Sequence, residues 1–387
     1  MDRIFKHLLS IFGLTAVLFY GLSAQDAVSD AVSDAISDAI SDAAPVSFEM
    51  TREICLDLVP GENNPRNSEG DFIRTKDGRI LFVYSQYFGK SASDHAHANL
   101  AAIWSSDEGK TWSEPEIIVK MDGGLNVMSV SLIRLQDGRI GLFYLRKYSM
   151  SDNREWVRYS TDEGKTWSEA ECCISDEFKD YYVVNNARII QLRDGTILVP
   201  ACHHKTIHGK FDWSGELVCF YSKDAGKTFQ RGEYVKKPKG LVFQEPGVNE
   251  LEDGTIFMYT RTTSGSQFVM RSKDGGITWD EPGPSQFTSP CSPLLIRPIP
   301  GTKRFIAVWN DTPKGRNPLN IAVLDAELNI LWKTVLDKSE GTPPQWFCYP
   351  AILALNEKEF LISYCAGVMP GVGLEKTRIV KVRLEEK

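Results

Sequence analysis

One eight-residue phrase recurs four times in this chain. It reads SSDEGKTW at Ser105–Trp112, STDEGKTW at Ser160–Trp167, SKDAGKTF at Ser222–Phe229 and SKDGGITW at Ser272–Trp279. All four fit Ser-x-Asp-x-Gly-x-Thr followed by Trp or Phe. They stand roughly 50–60 residues apart, a period that belongs to radial β repeats in which each unit is one small sheet burying its face against its neighbours. The phrase is a turn. Ser and Asp oxygens bond nearby backbone N–H groups. Gly109, Gly164, Gly226 and Gly276 take positive φ cheaply, and the aromatic that follows plugs the space beneath.

A second repeat interleaves with the first. Asp77-Gly78, Asp137-Gly138, Asp194-Gly195 and Asp253-Gly254 each precede an apolar run, LFVYS, GLFYL, ILVPA and IFMYT in turn. Asp-Gly between strand patterns signals a hairpin. Each unit therefore reads as strand, Asp-Gly hairpin, strand, variable loop, strand, Asp-box hairpin, strand. Arg304–Trp309 and Glu359–Tyr364 look like fifth and sixth copies of the same inner strand, and Leu324–Trp332 like a decayed fifth Asp-box. The expectation is an all-β, six-bladed β-propeller with Asp-box hairpins over residues 49–387.

The chain has 387 residues and a formal net charge of −7, with Lys and Arg scattered. No basic patch points to a nucleic-acid partner. Residues 1–24 carry Arg3 and Lys6, an apolar stretch from Leu8 to Tyr20, and Leu22-Ser23-Ala24. This is the three-part form of a secretory signal peptide, which predicts a secreted or periplasmic protein. Residues 25–48 hold a low-complexity DA[V/I]S tract read as a spacer. No other segment is long and apolar enough to span a membrane. The eight cysteines fit no zinc spacing, their pairing is not readable, and Cys219 and Cys365 fall inside apolar strand patterns as buried thiols. No cofactor or metal is expected, and the sequence is silent on oligomeric state.

Chemistry must come from polar residues that break the repeat. Arg66 sits in NPRNSEGD before the first inner strand. Glu245 lies in QEPG ahead of the fourth, and Arg261 ends that strand. Arg316 follows the fifth, and Tyr349 precedes the sixth in FCYP. In a propeller, loops and strand ends of successive blades converge at one end of the axis. The Asp-boxes with this order of arginine, glutamate and tyrosine resemble the sialidase (neuraminidase) superfamily, particularly bacterial exo-sialidases, over about residues 50–385.

The resemblance implies an acidic glycan substrate and a set of roles. Arg66, Arg261 and Arg316 match the three arginines that grip the sugar's carboxylate, although the family's Arg-Ile-Pro is Arg66-Asn67-Ser68 here. Tyr349 matches the nucleophile and Glu245 its general base. These residue types suit the task. Guanidinium binds carboxylate through planar, charge-assisted bonds, and a neutral phenol escapes the repulsion that an anionic nucleophile would meet at an anomeric carbon bearing a carboxylate.

The acid/base departs from the family. Where the family carries aspartate, on the strand leading into the first Asp-box, this chain has Asn99, and an amide cannot cycle a proton. Asp94, in the loop just upstream, is the favoured substitute. His97 shares a strand face with Asn99, while Glu69 and Asp71 lie close to Arg66. Asn126, Asn186, Arg188 and His203 fall near blade ends and are further pocket candidates. His203 and His204 point to opposite faces of a strand, which argues against a metal pair. Trp213, Trp309 and Trp346 are candidates to stack on sugar faces. Two readings stand: a secreted retaining exo-glycosidase, or a sialidase-like propeller that binds or cleaves a different acidic glycan or is non-catalytic.

Overall fold

The structure is a computed structural model that describes residues 46–387 apart from 123, 208, 209, 369 and 370. The leader and almost all of the low-complexity tract lie outside the described residues. The rest, Ser47–Lys387, is one unit. Among the described residues it is all-β, relieved by a single 3-10 turn at Asp176–Phe178. Among the described residues no helix is long and apolar enough to cross a membrane.

The strands group as the two repeats dictate. The first unit runs Asn67–Arg74, Ile80–Tyr87, Ala98–Ser105 and Glu116–Val119, each antiparallel to the next. The same order recurs from Phe243–Glu250 to Gly283–Thr288, and from Leu295–Pro298 to Ile330–Asp337. The units starting at Asn126 and Tyr181 were expected as separate sheets. Instead they share one nine-stranded sheet, joined by a single parallel pairing of Tyr181 with Asn153. Asn153 also donates from its side chain to the Tyr182 carbonyl at 2.7 Å, which clips the two together.

The last sheet holds a strand that local patterning does not announce. Phe48–Leu58 pairs with Thr377–Glu386, outside Glu359–Cys365 and Cys348–Ala354. The sheet thus takes strands from both ends of the described chain. The first unit abuts it directly: Asn67 N–H donates to the Glu375 carbonyl at 2.9 Å, and Thr377 Oγ1 to the Asn67 carbonyl at 2.9 Å.

Each Asp-box is built as its residues require. In the second, Ser160 Oγ donates to Asp162 Oδ1 at 2.8 Å and accepts from Gly164 N–H at 2.8 Å. Asp162 accepts from Thr166 N–H at 2.9 Å and from its hydroxyl at 2.6 Å. Two consecutive residues are left-handed, Glu163 (φ 63°) and Gly164 (φ 83°), the geometry that matches strand twist. The glycine is also needed for packing. A Cβ on Gly164 would lie 2.9 Å from Leu81 of the preceding unit, and one on Gly109 would lie 2.8 Å from Leu361 of the last. At Asp325–Asn329 the decayed box keeps the aspartate bonds, with Leu328 (φ 69°) left-handed one residue after the place where the others have glycine.

Two tests follow. Asp107, Asp162 and Asp224 have pKa values lowered to about 2, chiefly by hydrogen bonds from the box threonines. A depressed carboxyl stabilises the fold above its unfolded pKa and stops doing so as pH falls through its folded one. Melting temperature should therefore drop between about pH 4 and pH 2, and Asp162→Asn should flatten part of that dependence. Glu155 behaves oppositely. It is fully buried opposite Leu145, its carboxyl oxygens have no partner among the described residues, and burial pushes its pKa far up. The folded state keeps a proton that the unfolded chain releases above about pH 4.3, so this site costs stability increasingly as pH rises. Glu155→Met should stabilise the protein at pH 8 by about 1–3 kcal/mol, with a smaller gain near pH 5, measured by denaturant unfolding.

Candidate functional site

The site starts from a backbone irregularity that recurs in unit after unit. The first strand of a unit breaks register with the second between Ser68 and Asp71, Met128 and Ser131, Gln244 and Gly247, and Cys348 and Ala351. Inside each break one non-glycine residue is left-handed: Glu69 (φ 55°), Ser129 (φ 58°), Glu245 (φ 47°) and Tyr349 (φ 55°). Ala187 (φ 54°) occupies the corresponding gap in the third unit. A bulge of this kind re-aims a side chain out of the ladder. Such backbone costs of order 1–3 kcal/mol per residue and collects at functional sites.

Four of these residues, Glu69, Ser129, Glu245 and Tyr349, line one cavity of about 270 Å³ together with Asp94, Lys147 and Arg261. Tyr349 OH donates to Glu245 Oε1 at 3.3 Å. Arg261 Nη2 donates to the same Glu245 oxygen at 2.9 Å and to Gln244 Oε1 at 2.5 Å, and its Nη1 lies 3.5 Å from Tyr349 OH. Burial drives the Tyr349 pKa up, with Glu245 adding to the rise and Arg261 and Arg316 opposing it, so the phenol is protonated.

The other two arginines stand behind the cavity wall. Arg316 lies over the Tyr349 ring at 5.6 Å and over Trp346 at 5.3 Å. Its Nη1 donates to Cys348 Sγ at 3.2 Å. Burial opposes ionisation of that thiol, but Cys365 and Arg316 outweigh it and hold the Cys348 pKa low. Arg66 is wholly buried beneath Tyr87, 4.4 Å from its ring. It donates to Glu69 Oε2 at 3.0 Å and to Asp94 Oδ1 at 2.5 Å. Burial pushes Glu69 up to about 7, against the pull of Arg66. Asp94 is also raised by desolvation, yet Arg66 and Lys147 hold it below the ordinary carboxylate value.

Several sequence candidates sit elsewhere. Asn99 Oδ1 accepts from Met121 N–H at 3.0 Å and His97 packs on Phe88, both outside the cavity wall. Asp71 and Arg188 are interior. Asp71 accepts from Phe72 and Leu132 N–H groups and borders a different cavity with Arg297, while Arg188 donates to Tyr259 OH at 3.0 Å. His203 is held by Asp180 at 2.9 Å and Tyr234 at 2.7 Å, and it is His204 that lines the cavity. Asn126 and Asn186 support the site from outside its wall. Asn126 Nδ2 donates to the Asp94 and Ala96 carbonyls, and Asn186 Nδ2 to the Gly70 carbonyl at 2.9 Å. Trp309 is fully buried, its indole N–H on the Thr288 carbonyl, whereas Trp213 is 69% exposed at the cavity rim.

Lys147 is the residue that sequence reading missed. It is 2% exposed, donates to the Asp94 carbonyl at 2.8 Å, and burial pulls its pKa down to about 8. Arg261 pairs with Gln244, the last residue before its bulge; Leu145 pairs with Met128 in the same place, and Lys147 is two residues further on. Period-two alternation puts it on the same face. Among the described residues no cluster of His, Cys, Asp and Glu is arranged to hold a metal.

Comparison with known proteins places the chain in a family. Residues 128–362 match the model of the BNR repeat-like domain. The chain is 26% identical over 242 residues to a sialidase of Bacteroides fragilis, covering 54% of this chain and 42% of that protein. It is 30% identical over 231 residues to a sialidase of Clostridium perfringens, covering 53% and 58%. The chain thus matches about half the length of these curated relatives. In structure it is similar to a protein of unknown function from Dyadobacter fermentans (TM-score 0.70, 20% identity, 86% of this chain and 99% of that one). It is also similar to the Hadza microbial sialidase Hz136 (TM-score 0.68, 18% identity, 82% and 66%). Its repeats, its fold and these matches make the chain a member of the BNR repeat-like domain family, among the sialidase-type repeat proteins.

Proposed function

We propose that this protein is a retaining exo-glycosidase that removes a terminal sialic acid, or a closely related acidic sugar, from a glycan. In this reading the units form a six-bladed propeller over residues 49–387, and the chain is exported with residues 1–24 removed. One observation carries the reading: Tyr349 OH lies 3.3 Å from a buried carboxylate that also receives Arg261. A phenol, a base and a guanidinium meet on one cavity wall.

The residues then divide the work. Arg261, on the cavity wall, holds the sugar's carboxylate, and the buried charges of Arg316 and Arg66 behind the wall add to the attraction. Tyr349 attacks the anomeric carbon as its proton passes to Glu245, which spares the approach of an anionic nucleophile to an anionic sugar. The leaving oxygen takes a proton from the carboxyl pair that shares Arg66, formed by Asp94 and Glu69. Water completes the second displacement, so configuration is retained. The exposed ring of Trp213 at the rim offers a stacking face for the glycan beyond the cleaved bond.

A second reading draws on the same geometry. Arg66 is already engaged by two carboxyls and Arg316 by a thiol. That prior engagement favours a substrate with a different anionic group, or binding without turnover.

Purified protein should hydrolyse a fluorogenic aryl sialoside somewhere between pH 4 and 8; a folded protein without turnover across that range counts against the glycosidase reading. Tyr349→Phe should lose at least about 10³-fold in kcat with an unchanged melting temperature. Arg261→Ala removes charge-assisted bonds of about 1.5–3 kcal/mol each and should weaken kcat/KM by at least about tenfold. Calorimetry with free acidic sugars separates the two readings: binding that Arg261→Ala abolishes, in a protein with no hydrolysis, selects the second.

A further inference from the structure

Two carboxyl groups share Arg66, and they live in different surroundings. Asp94 Oδ1 accepts from Nη1, and Glu69 Oε2 accepts from Nη2. The Asp94 side chain is 58% exposed, whereas that of Glu69 is 5% exposed. Glu69 is also placed by the device that places Glu245 and Tyr349, a left-handed residue in a first-strand bulge, and lines the same cavity. Asp94 belongs to a loop, fixed through its backbone: its carbonyl receives both Asn126 Nδ2 and Lys147 Nζ.

We propose that Glu69 is the proton donor of this site, and that Asp94 is a positioning residue that orients Arg66. The assignment rests on the glycosidase reading above and deepens it. Glu69 gives its proton to the glycosidic oxygen as the bond from that oxygen to the anomeric carbon breaks. Tyr349 forms the new bond to that carbon and its proton goes to Glu245. The alcohol leaves. Water then attacks the anomeric carbon, its proton passes to the Glu69 carboxylate, and the released phenol recovers its own from Glu245.

The surroundings of Glu69 support the protonated form. Arg66 and Lys147 are the cations near it, and Asp94 and Glu245 the anions. The nearby Tyr87, Tyr349 and Cys365 carry no charge, their pKa values all raised by burial, whereas Cys348 is held low. Desolvation outweighs the pull of Arg66 and leaves Glu69 titrating at about 7, while Asp94 stays ionised. A general acid works best with a pKa near the operating pH. A substrate carboxylate arriving at the arginines adds negative charge and strengthens the hold of Glu69 on its proton.

A leaving-group comparison tests the assignment. Wild type, Glu69→Gln and Asp94→Asn are assayed on a 4-methylumbelliferyl sialoside, whose leaving group needs little protonation, and on sialyllactose, whose sugar leaving group needs it. Glu69→Gln should lose about 10²–10⁴-fold on sialyllactose and much less on the aryl substrate, and formate should restore turnover to Glu69→Ala. The alkaline limb of kcat/KM should stand near pH 7 in wild type, vanish in Glu69→Gln, and move to lower pH in Asp94→Asn, because a nearby anion is gone. Asp94→Asn should weaken both substrates alike, through KM. Selective loss on sialyllactose in Asp94→Asn, or equal losses on both substrates in Glu69→Gln, overturns the assignment. Wild-type protein inactive on both substrates overturns the glycosidase reading itself, a distinct result.

Discussion

Everything at this site depends on a left-handed residue set into the first strand of a unit. A regular strand sends alternate side chains to its two faces, and both faces here are packed against neighbouring units. A polar side chain in such a ladder has nowhere to go. The bulge solves this by spending one extra residue, so that Glu69, Glu245 and Tyr349 leave the ladder and meet across a common cavity although far apart in sequence. The strain at each is tolerated because the strands around it are buried on every side. Neighbouring residues lock the geometry: Asn186 donates to the carbonyl of Gly70, beside Glu69, and Thr260 Oγ1 to that of Gln244, beside Glu245.

The same repetition that builds the fold limits what can be read from the sequence. The Asp-boxes and Asp-Gly hairpins were legible because their chemistry is local: an aspartate four residues before a threonine closes its own turn. Phe48–Leu58 was not, since its partner Thr377–Glu386 lies at the far end of the chain. The joining of the second and third units through Tyr181 and Asn153 escaped for a similar reason. No local pattern marks a strand that keeps its pairing within one unit and also pairs with its neighbour.

The residues at the cavity were partly legible. The order of Arg66, Glu245, Arg261, Arg316 and Tyr349 could be read, because each interrupts an otherwise apolar repeat. Their partners could not. Alternation placed His97 beside Asn99 on a strand face, but that face points away from the cavity. Lys147 looks in sequence like any strand-end lysine, and only burial beside Asp94 distinguishes it. The thiol of Cys348 under Arg316 is equally silent, because the contact joins the last unit to a loop of the one before it.

Charge closes the argument. The chain is acidic as a whole, at −7, yet around the cavity Arg66, Lys147, Arg261 and Arg316 face the carboxylates of Asp94 and Glu245 and the carboxyl of Glu69. Buried cations without compensation are expensive. Here each cation is offset in part, by a carboxylate, a carbonyl or a low-pKa thiol, and several of these partners are shared between two groups. In the proposed reading, an arriving carboxylate finds guanidinium groups already oriented and already desolvated, whose present partners leave part of their charge unanswered. A protein carrying net negative charge can in this way present a local attraction to an anionic sugar, confined to one end of its strands.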